Sequence, residues 1–342
     1  MGRGQPLPAD DKTIRDTLIK LGLIGVGYLG SRHLRHLCSL DGVEVSGVWD
    51  TDAEKLSAAA KAYNVPVASS MADLIERSDG LVVVTTTSTH YEVGMQVVNA
   101  GKQLFVEKPL CATAVEGRAL VDAAQARGVG IQVGHIERYN RAFRGLMGIP
   151  VRPRFIEVHR LAPWNPRGVD VAVVFDLMIH DLDLILSLTA SEPVEIHANG
   201  VGVISDTPDI ATARIRFADG MVANMTASRI SLKKMRKLRL FGEREYISLD
   251  LAEGRCEYVG ATLGDEAIPS DALSLGVMET ADRRREVYVR FLGAEEADAM
   301  RLELTDFRDL VANGVQPPVT GPAGLRALDL AERIVRIIQE QQ

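Results

Sequence analysis

The chain has 342 residues, 46% of them hydrophobic, and a formal net charge of -7. This length exceeds one typical domain and predicts two. The acidic balance argues against nucleic acid as the main partner, and the absence of an apolar run of about 18 residues argues against a membrane span. Three cysteines without a C-x-x-C pair are typical of reduced thiols, so we expect a cytoplasmic protein.

The first part of the chain alternates between short apolar runs and helical patterns. Residues 1–17 lack the apolar centre of a signal peptide and are expected to be a disordered lead-in. Residues 18–137 then predict a parallel sheet covered by helices on both faces. The predicted strands are Lys20–Ile24, Glu44–Val48, Val65–Ala68, Leu81–Thr85, Gln103–Val106 and Gly130–Val133.

Residues 138–342 follow a different pattern. Several prolines break the chain, a strong helix is predicted over Val173–Leu188, and alternating strands follow, with Asp219-Gly220 as a hairpin turn. This order predicts an α+β domain with a mostly antiparallel sheet. Gly260–Arg285 is charged and short of apolar pattern, so we expect a surface excursion there. Pro322–Gln342 is predicted to be a closing amphipathic helix.

A glycine-rich turn joins the first predicted strand to a helix-like segment, SRHLRHLCSL. Its spacing is G-x-G-x-x-G, and Asp50 follows the second predicted strand. Such glycines allow a tight turn, close approach of a pyrophosphate and close helix packing, while the acid binds ribose hydroxyls and disfavours a 2′-phosphate. The pattern predicts an NAD site, against the alternative of an ordinary strand–turn–helix. Its predicted residues are Gly25, Gly27, Tyr28, Leu29, Gly30 and Asp50.

Polar residues follow the later strands of the predicted parallel sheet, at the edge where such sheets bind ligands. Glu107 and Lys108 follow the fifth strand, and this lysine could donate a proton or steer a substrate oxygen, although a surface lysine is the alternative. Thr85, Thr86 and His90 could contact ribose or nicotinamide, or cap the next helix. His135 follows the sixth strand and either faces the same cleft or lies between domains.

The helix over Val173–Leu188 carries a candidate acid–base pair. Asp176 and His180 are four residues apart and share a face with Asp183. A carboxylate one turn before a histidine can orient the imidazole and raise its basicity, which suits proton removal from an alcohol. A surface ion pair is the alternative. A zinc site made from His135, His180 and Asp183 is another, but no ligand spacing supports it.

Two basic segments flank this helix in the sequence. Between Arg138 and Arg167 lie seven arginines and one acid, and between Arg229 and Arg239 lie six basic residues without an acid. Arginine suits phosphate and carboxylate recognition, so an anionic substrate is expected, with Arg138, Arg160 and Arg229 as candidate contacts. A subunit interface or a solvated strand face is the alternative.

Together these landmarks resemble the Gfo/Idh/MocA family of nicotinamide-dependent dehydrogenases, and VGHIERYN, FIEVHRLAPWNPRG and DLMIHDLD are most like its UDP-N-acetylglucosamine 3-dehydrogenase branch. The resemblance implies a Rossmann domain and a second domain for substrate binding and oligomerisation. It also implies Lys108, Asp176 and His180 as catalytic residues and assembly into homodimers or homotetramers. The chain departs from the family at Thr86, where a proline is common, and at Arg141, where the branch has proline.

These observations predict a dehydrogenase that oxidises a secondary hydroxyl of a sugar, with the 3-hydroxyl of UDP-N-acetylglucosamine as the expected position. No metal is expected. A dehydrogenase or reductase of a free sugar, inositol or dihydrodiol is an alternative. A non-catalytic NAD(H)-binding regulator is another, but such a sensor would need none of Lys108, Asp176 and His180.

Overall fold

The computed structural model describes residues 18–165, 171–264, 266–280 and 283–341. The predicted lead-in, residues 1–17, and Arg167 lie outside this range. The elements of the first part are, in chain order, β1 (Ile19–Ile24), α1 (Tyr28–Leu37), β2 (Val43–Trp49), α2 (Ala53–Tyr63), α3 (Met71–Glu76), β3 (Gly80–Val83), α4 (His90–Asn99), β4 (Gln103–Glu107), α5 (Ala114–Arg127) and β5 (Ile131–Gly134).

Within the described residues, β1 to β5 form a five-stranded parallel sheet in the order β2-β1-β3-β4-β5. The strand order reverses between β1 and β3, and ligands of such sheets bind where that reversal occurs, at the carboxyl ends of the strands. The predicted doubly wound parallel sheet is confirmed. The strand predicted over Val65–Ala68 was wrong, since Val67 makes only an isolated bridge to Val48.

The helices begin and end at residues with clear capping roles. Asp52 accepts hydrogen bonds from backbone N–H groups at the start of α2, and Thr113 forms a reciprocal capping box with Glu116 at the start of α5. Gly128 ends α5 in the left-handed conformation, which glycine adopts without steric cost. These caps set the helix boundaries that the sequence predicts.

The second part begins with a single helical turn at Ile136–Tyr139. Its further elements are α6 (Arg141–Arg144), β6 (Phe155–Leu161), a π-helical turn at Val174–Met178, α7 (Ile179–Ser187), β7 (Pro193–Val201), β8 (Ile210–Phe217), β9 (Val222–Ser228), β10 (Met235–Phe241), β11 (Glu245–Asp250), β12 (Arg255–Ala261), β13 (Leu273–Thr280), β14 (Arg283–Leu292), α8 (Ala299–Asn313) and α9 (Gly321–Gln339).

Among the described residues, β6 to β14 form a nine-stranded sheet in the order β13-β14-β12-β11-β10-β6-β9-β8-β7. The neighbouring strands are antiparallel except for β6 and β9, which run parallel. This confirms the mostly antiparallel second sheet, and the β8–β9 hairpin turns at Asp219-Gly220 as predicted. Most described residues of the surface excursion expected over Gly260–Arg285 are exposed, but the expectation missed that they include β13 and the start of β14, which pair with each other at the edge of the sheet.

The last two helices connect the two sheets. Apolar side chains of α8, including Leu304 and Phe307, pack in the core on one face of the parallel sheet. Leu325 and Leu328 at the start of α9 pack on its other face, while Ile334 and the end of α9 join the core of the second sheet. The division into domains of residues 18–137 and 138–342 stays a prediction. Helix α8 belongs to the second of these ranges but packs on the parallel sheet of the first.

None of the helices in the described part of the chain is long and apolar enough to cross a membrane.

Candidate active site

A cavity of about 1110 Å³ opens at the carboxyl ends of β1 and β3. The glycines of the turn after β1 explain its shape. Gly25 has a φ of +93°, and a Cβ at Gly30 would collide with the carbonyl oxygen of Gly25, so α1 packs directly against the turn. A Cβ built at Gly27 meets no protein atom within 4 Å, because its backbone faces the cavity. The predicted residues that line it are Gly25, Gly27, Tyr28, Leu29, Asp50, Thr85, Thr86, Glu107 and Lys108.

Asp50 is held in place at one end of this cavity. Its Oδ2 accepts a hydrogen bond from Val26 N at 2.7 Å, and its Oδ1 accepts one from Asp52 N at 2.9 Å. Lone pairs on both oxygens remain for ribose hydroxyls. The sequence prediction missed Lys55, which also lines the cavity and whose Nζ lies 2.7 Å from Asp52 Oδ2.

His90 does not line the cavity, contrary to its predicted contact with the cofactor. It is buried, with Nδ1 2.8 Å from the Pro109 carbonyl oxygen and Nε2 3.2 Å from the Thr85 carbonyl oxygen. Burial lowers the pKa of His90, although the two carbonyls oppose that shift. The ring therefore connects the chain after β3 to the chain after β4, and it positions Thr85 rather than a ligand.

Glu107 ends β4, and Lys108 follows it, at the other end of the cavity. His33 of α1, which the sequence prediction missed, places its Nε2 2.7 Å from Glu107 Oε1. Burial raises the pKa of Glu107, but the hydrogen bond with His33 and the nearby charges outweigh it and bring that pKa below its usual value. The peptide bond between Lys108 and Pro109 is cis.

The Lys108 side chain reaches the π-helical turn of the second part. Its Nζ donates to the Asp176 carbonyl oxygen at 2.8 Å and lies 3.7 Å from Asp176 Oδ1. The Lys108 side chain is 16% exposed and lines the cavity, so its ammonium lies between the cavity and the π-helical turn at Val174–Met178. The structure thus brings Lys108 and Asp176 together.

The predicted hydrogen bond between Asp176 and His180 is not made, although both residues are described. Residues 174–178 are π-helical, which changes the side-chain register expected for positions four apart in an α-helix. His180 Nδ1 is buried without a hydrogen-bond partner among the described residues. Burial and the positive charges of Lys108 and Arg160 lower the pKa of His180 well below its usual value. The imidazole is therefore neutral at physiological pH, and the raised basicity that the sequence predicted from Asp176 is not found.

His135 is fully buried and, like Asp176 and His180, is not among the residues that line the cavity, so its contact with a substrate stays a prediction. Its ring is perpendicular to that of His180, with 6.2 Å between the centroids. The zinc alternative fails, because both oxygens of Asp183 accept hydrogen bonds from Arg138. Among the described residues, no group of three or more His, Cys, Asp and Glu side chains could hold a metal ion.

The arginines predicted to hold an anionic substrate pair with acids of the protein itself. Arg138 donates to the two oxygens of Asp183 at 2.6 and 2.9 Å. Arg160, whose side chain is 4% exposed, donates to both oxygens of Asp181 at 2.7 Å and to Glu137 at 2.8 Å. These contacts use the paired N–H groups that would otherwise grip a phosphate.

Arg229 is also buried and serves an internal network. Its Nε donates to Asp209 Oδ1 at 2.8 Å, and its Nη1 donates to the Val171 carbonyl oxygen at 2.6 Å. Asp209 also accepts backbone hydrogen bonds from residues 203–205. Arg229 therefore fixes the chain at Val171, just before the π-helical turn at Val174–Met178. This structural role replaces the predicted role of Arg229 as a substrate contact.

Comparison with known proteins agrees with this geometry. Residues 19–135 match the description "Oxidoreductase family, NAD-binding Rossmann fold", and residues 151–248 match "GFO/IDH/MocA C-terminal domain". The chain is also 32% identical to UDP-N-acetylglucosamine 3-dehydrogenase of Acidithiobacillus ferrooxidans, over 92% of this chain and 96% of that protein. The chain belongs to the Gfo/Idh/MocA family. It is an oxidoreductase that uses NAD and acts on CH–OH groups of small molecules.

Solved structures extend the comparison. The structure of the Acidithiobacillus ferrooxidans enzyme superposes with a TM-score of 0.82 at 31% identity, covering 94% of this chain and 98% of that one. Scyllo-inositol dehydrogenase of Lactobacillus casei, solved with NAD(H) and scyllo-inositol, has a TM-score of 0.75 at 17% identity over 95% of this chain and 98% of that one, which shows the shared fold. Inositol 2-dehydrogenase of Salmonella typhimurium is 32% identical over 48% of this chain and 53% of that protein.

Replacement of Asp50 by alanine is expected to weaken NAD binding by about tenfold or more, because hydrogen bonds to a charged group contribute about 1.5–3 kcal/mol. NADP binding should weaken less, since the carboxylate repels its 2′-phosphate and Lys55 remains nearby. Titration of wild type and variant with NADH and NADPH measures both changes. Wild-type affinity for NADPH equal to that for NADH would contradict the assignment of Asp50.

Proposed function

We propose that the protein oxidises the 3-hydroxyl of UDP-N-acetylglucosamine with NAD. The observation that carries the dehydrogenase chemistry is the position of Lys108 Nζ, at the cavity and 2.8 Å from the Asp176 carbonyl oxygen. The similarity to UDP-N-acetylglucosamine 3-dehydrogenase, which extends over 92% of the chain, supports the choice of sugar.

NAD, when bound, accepts the hydride from the substrate carbon. His180, which is neutral at physiological pH, accepts the hydroxyl proton through a ring nitrogen. The Lys108 ammonium stabilises the negative charge that develops on the substrate oxygen. Asp176 positions that ammonium through its carbonyl oxygen and its carboxylate.

A nucleotide-linked substrate needs a cation that internal acids do not fully occupy. Arg236 on β10 lies opposite Arg160 of β6 in the sheet register, and its side chain is 39% exposed. Its Nη1 is 3.3 Å from Glu137 Oε1, and its charge contributes to lowering the pKa of His180. We assign Arg236 as the candidate contact for the pyrophosphate.

Arg236→Gln is therefore expected to raise KM for UDP-N-acetylglucosamine by about tenfold or more, the effect of losing a charge-assisted hydrogen bond. Turnover of a free sugar should not change. Arg255→Gln, at an exposed arginine of β12, is the matched control. An unchanged KM in Arg236→Gln would remove this residue from the substrate site.

Oxidation of an uncharged polyol is the second candidate. Its support is the internal pairing of Arg138, Arg160 and Arg229, together with the similarity to inositol 2-dehydrogenases. Parallel assays of reduced nicotinamide formation with UDP-N-acetylglucosamine, N-acetylglucosamine and myo-inositol distinguish the two. Inhibition by UDP supports the nucleotide sugar, and turnover of myo-inositol without an effect of UDP supports the polyol.

A further inference from the structure

A group of buried polar side chains lies on one face of the parallel sheet, next to Glu107. The side chain of Phe105 lies on this face. Its ring centroid is 5.3 Å from that of His33 in α1 and 5.8 Å from that of Phe307 in α8. In the register of β4 and β5, Phe105 pairs with Gln132 and Glu107 pairs with Gly134, so Gln132 and Glu107 are on the same face. The face is enclosed by α1 and α8.

Glu303 of α8 is buried within this group. Its carbonyl oxygen accepts a hydrogen bond from Gln132 Nε2 at 2.8 Å, which places it beside that side chain. It is fully buried, and neither carboxylate oxygen has a hydrogen-bond partner among the described residues. Burial raises the pKa of Glu303 well above its usual value, and the negative charges of Glu107, Asp306 and Asp183 raise it further. This environment favours the neutral, protonated form of the Glu303 carboxyl group over the carboxylate.

Three acids act directly on Glu303: Glu107 at the end of β4, Asp183 of α7 and Asp306 of α8 itself. Other charged and titratable groups act on these acids. His33 of α1 and Lys108 act on Glu107, Arg138 binds Asp183, Tyr139 binds Asp306, and His135 after β5 interacts with Glu107 and Asp183.

Other buried polar atoms in the described part of the chain also have no hydrogen-bond partner. They include His33 Nδ1, Gln132 Oε1, both ring nitrogens of His135, and His180 Nδ1. Buried polar atoms of this kind are commonly bridged by ordered water. Glu107 and Asp183 act on both His135 and Glu303, which places these two side chains near the same acids, and the His135 ring lies beside that of His180. Tyr139 donates a hydrogen bond at 2.7 Å to Asp306, which is half-buried and acts on Glu303.

We propose that Glu303 is a proton-relay residue that carries the proton of the reaction between the active site and the surface. The inference rests on the proposed dehydrogenase function. In oxidation, the C–H bond breaks and its electron pair leaves with the hydrogen as hydride, while the O–H bond breaks and its proton goes to His180. This proton passes by way of His135 and water to one oxygen of Glu303, and the proton on the other oxygen leaves toward Asp306. Glu303 is neutral before and after the transfer.

The test variant is Glu303→Gln, which keeps the size and the neutral state of the side chain but removes an acid that can accept and release a proton. Turnover with UDP-N-acetylglucosamine, or with myo-inositol if that is the substrate oxidised, should fall by about tenfold or more, within the range of lost acid–base groups. The solvent deuterium isotope effect on turnover should rise, and KM should stay near the wild-type value. Glu332→Gln, at a half-buried acid of α9, is the matched control and should behave as wild type.

A second measurement tests the protonated state of Glu303 without turnover. Because its pKa is higher in the folded than in the unfolded protein, wild-type stability is lost as pH rises above about 4.3, the unfolded value. Glu303→Gln should not lose stability in this way, because glutamine does not titrate. The margin by which the melting temperature of Glu303→Gln compares favourably with that of wild type should therefore grow as pH rises above about 5.

The outcomes separate the two claims. A margin that does not grow with pH overturns the relay, as does an active wild type whose turnover and isotope effect are unchanged in Glu303→Gln. A wild type that oxidises neither substrate overturns the proposed function, and the relay with it.

Discussion

Replacement of Lys108 by alanine is expected to lower turnover by about a hundredfold or more, the usual effect of removing a donor that stabilises a developing oxyanion. The reason is geometric. Lys108 Nζ lies at the cavity and is held by the Asp176 carbonyl oxygen at 2.8 Å, so it cannot be replaced by a neighbouring cation without a shift of the helix. Turnover is measured from the absorbance of reduced nicotinamide, and cofactor affinity from NADH fluorescence.

Lys102→Ala is the matched control for this experiment. Lys102 precedes β4 at the amino edge of the sheet, where its Nζ donates to the Ser78 carbonyl oxygen at 2.6 Å, whereas Lys108 follows the carboxyl end of the same strand. The control variant should turn over as wild type does. Wild-type turnover in Lys108→Ala would show that this ammonium only joins the two parts of the fold.

Replacement of His180 by alanine is expected to lower turnover by about a hundredfold to ten-thousandfold, the range for a general base. Because burial, Lys108 and Arg160 lower the pKa of His180, the wild-type ring stays neutral as pH falls to about 6.5, the usual histidine value. The wild-type rate should therefore begin to fall only below that pH, and the variant should lack this acidic limb.

His197→Ala provides the comparison, because His197 is an exposed histidine of β7 paired with Glu195. It should reproduce the wild-type pH profile of kcat/KM. An acidic limb that persists unchanged in His180→Ala would assign the titration to another group and contradict the role of His180 as base.

Local patterns in the sequence predicted several of the residues that lie around the large cavity. The order strand, G-x-G-x-x-G, helix, strand and Asp50 depends on residues close in the chain, and the structure places Gly25, Gly27 and Asp50 around one cavity. Lys108 was predicted for the same reason, since it follows a buried strand at the edge where ligands bind. A residue at a strand end can be placed from the strand alone.

Contacts between distant segments were less predictable. The ion pairs Arg160–Asp181 and Arg229–Asp209 join segments that are separated in the sequence. The basic segments therefore did not reveal which arginines pair with acids of the protein itself. The π-helical turn at Val174–Met178 gives Asp176 a different position relative to His180 from the one expected in an α-helix. The spacing of residues in the sequence did not predict this turn.

His33 and Glu303 illustrate the same limit. They are 270 positions apart in the chain, and they share one face of the parallel sheet only because α1 and α8 pack there together. His33 follows the glycine turn in a helix with ordinary amphipathic character, and Glu303 is one acid among the 46 acidic residues of the chain. The surroundings of these two side chains become evident from the packing of α1 and α8 on β4 and β5, and not from spacing in the sequence.

The most direct test of the proposed function uses UDP-N-acetylglucosamine carrying deuterium at carbon 3 of the sugar. The protein is incubated with this substrate and NAD, and the reduced cofactor is analysed by mass spectrometry. We expect NADH that carries the deuterium, together with a 3-keto sugar nucleotide. NADH without deuterium would contradict oxidation at that carbon, and the absence of NADH with this substrate would contradict the nucleotide-sugar function.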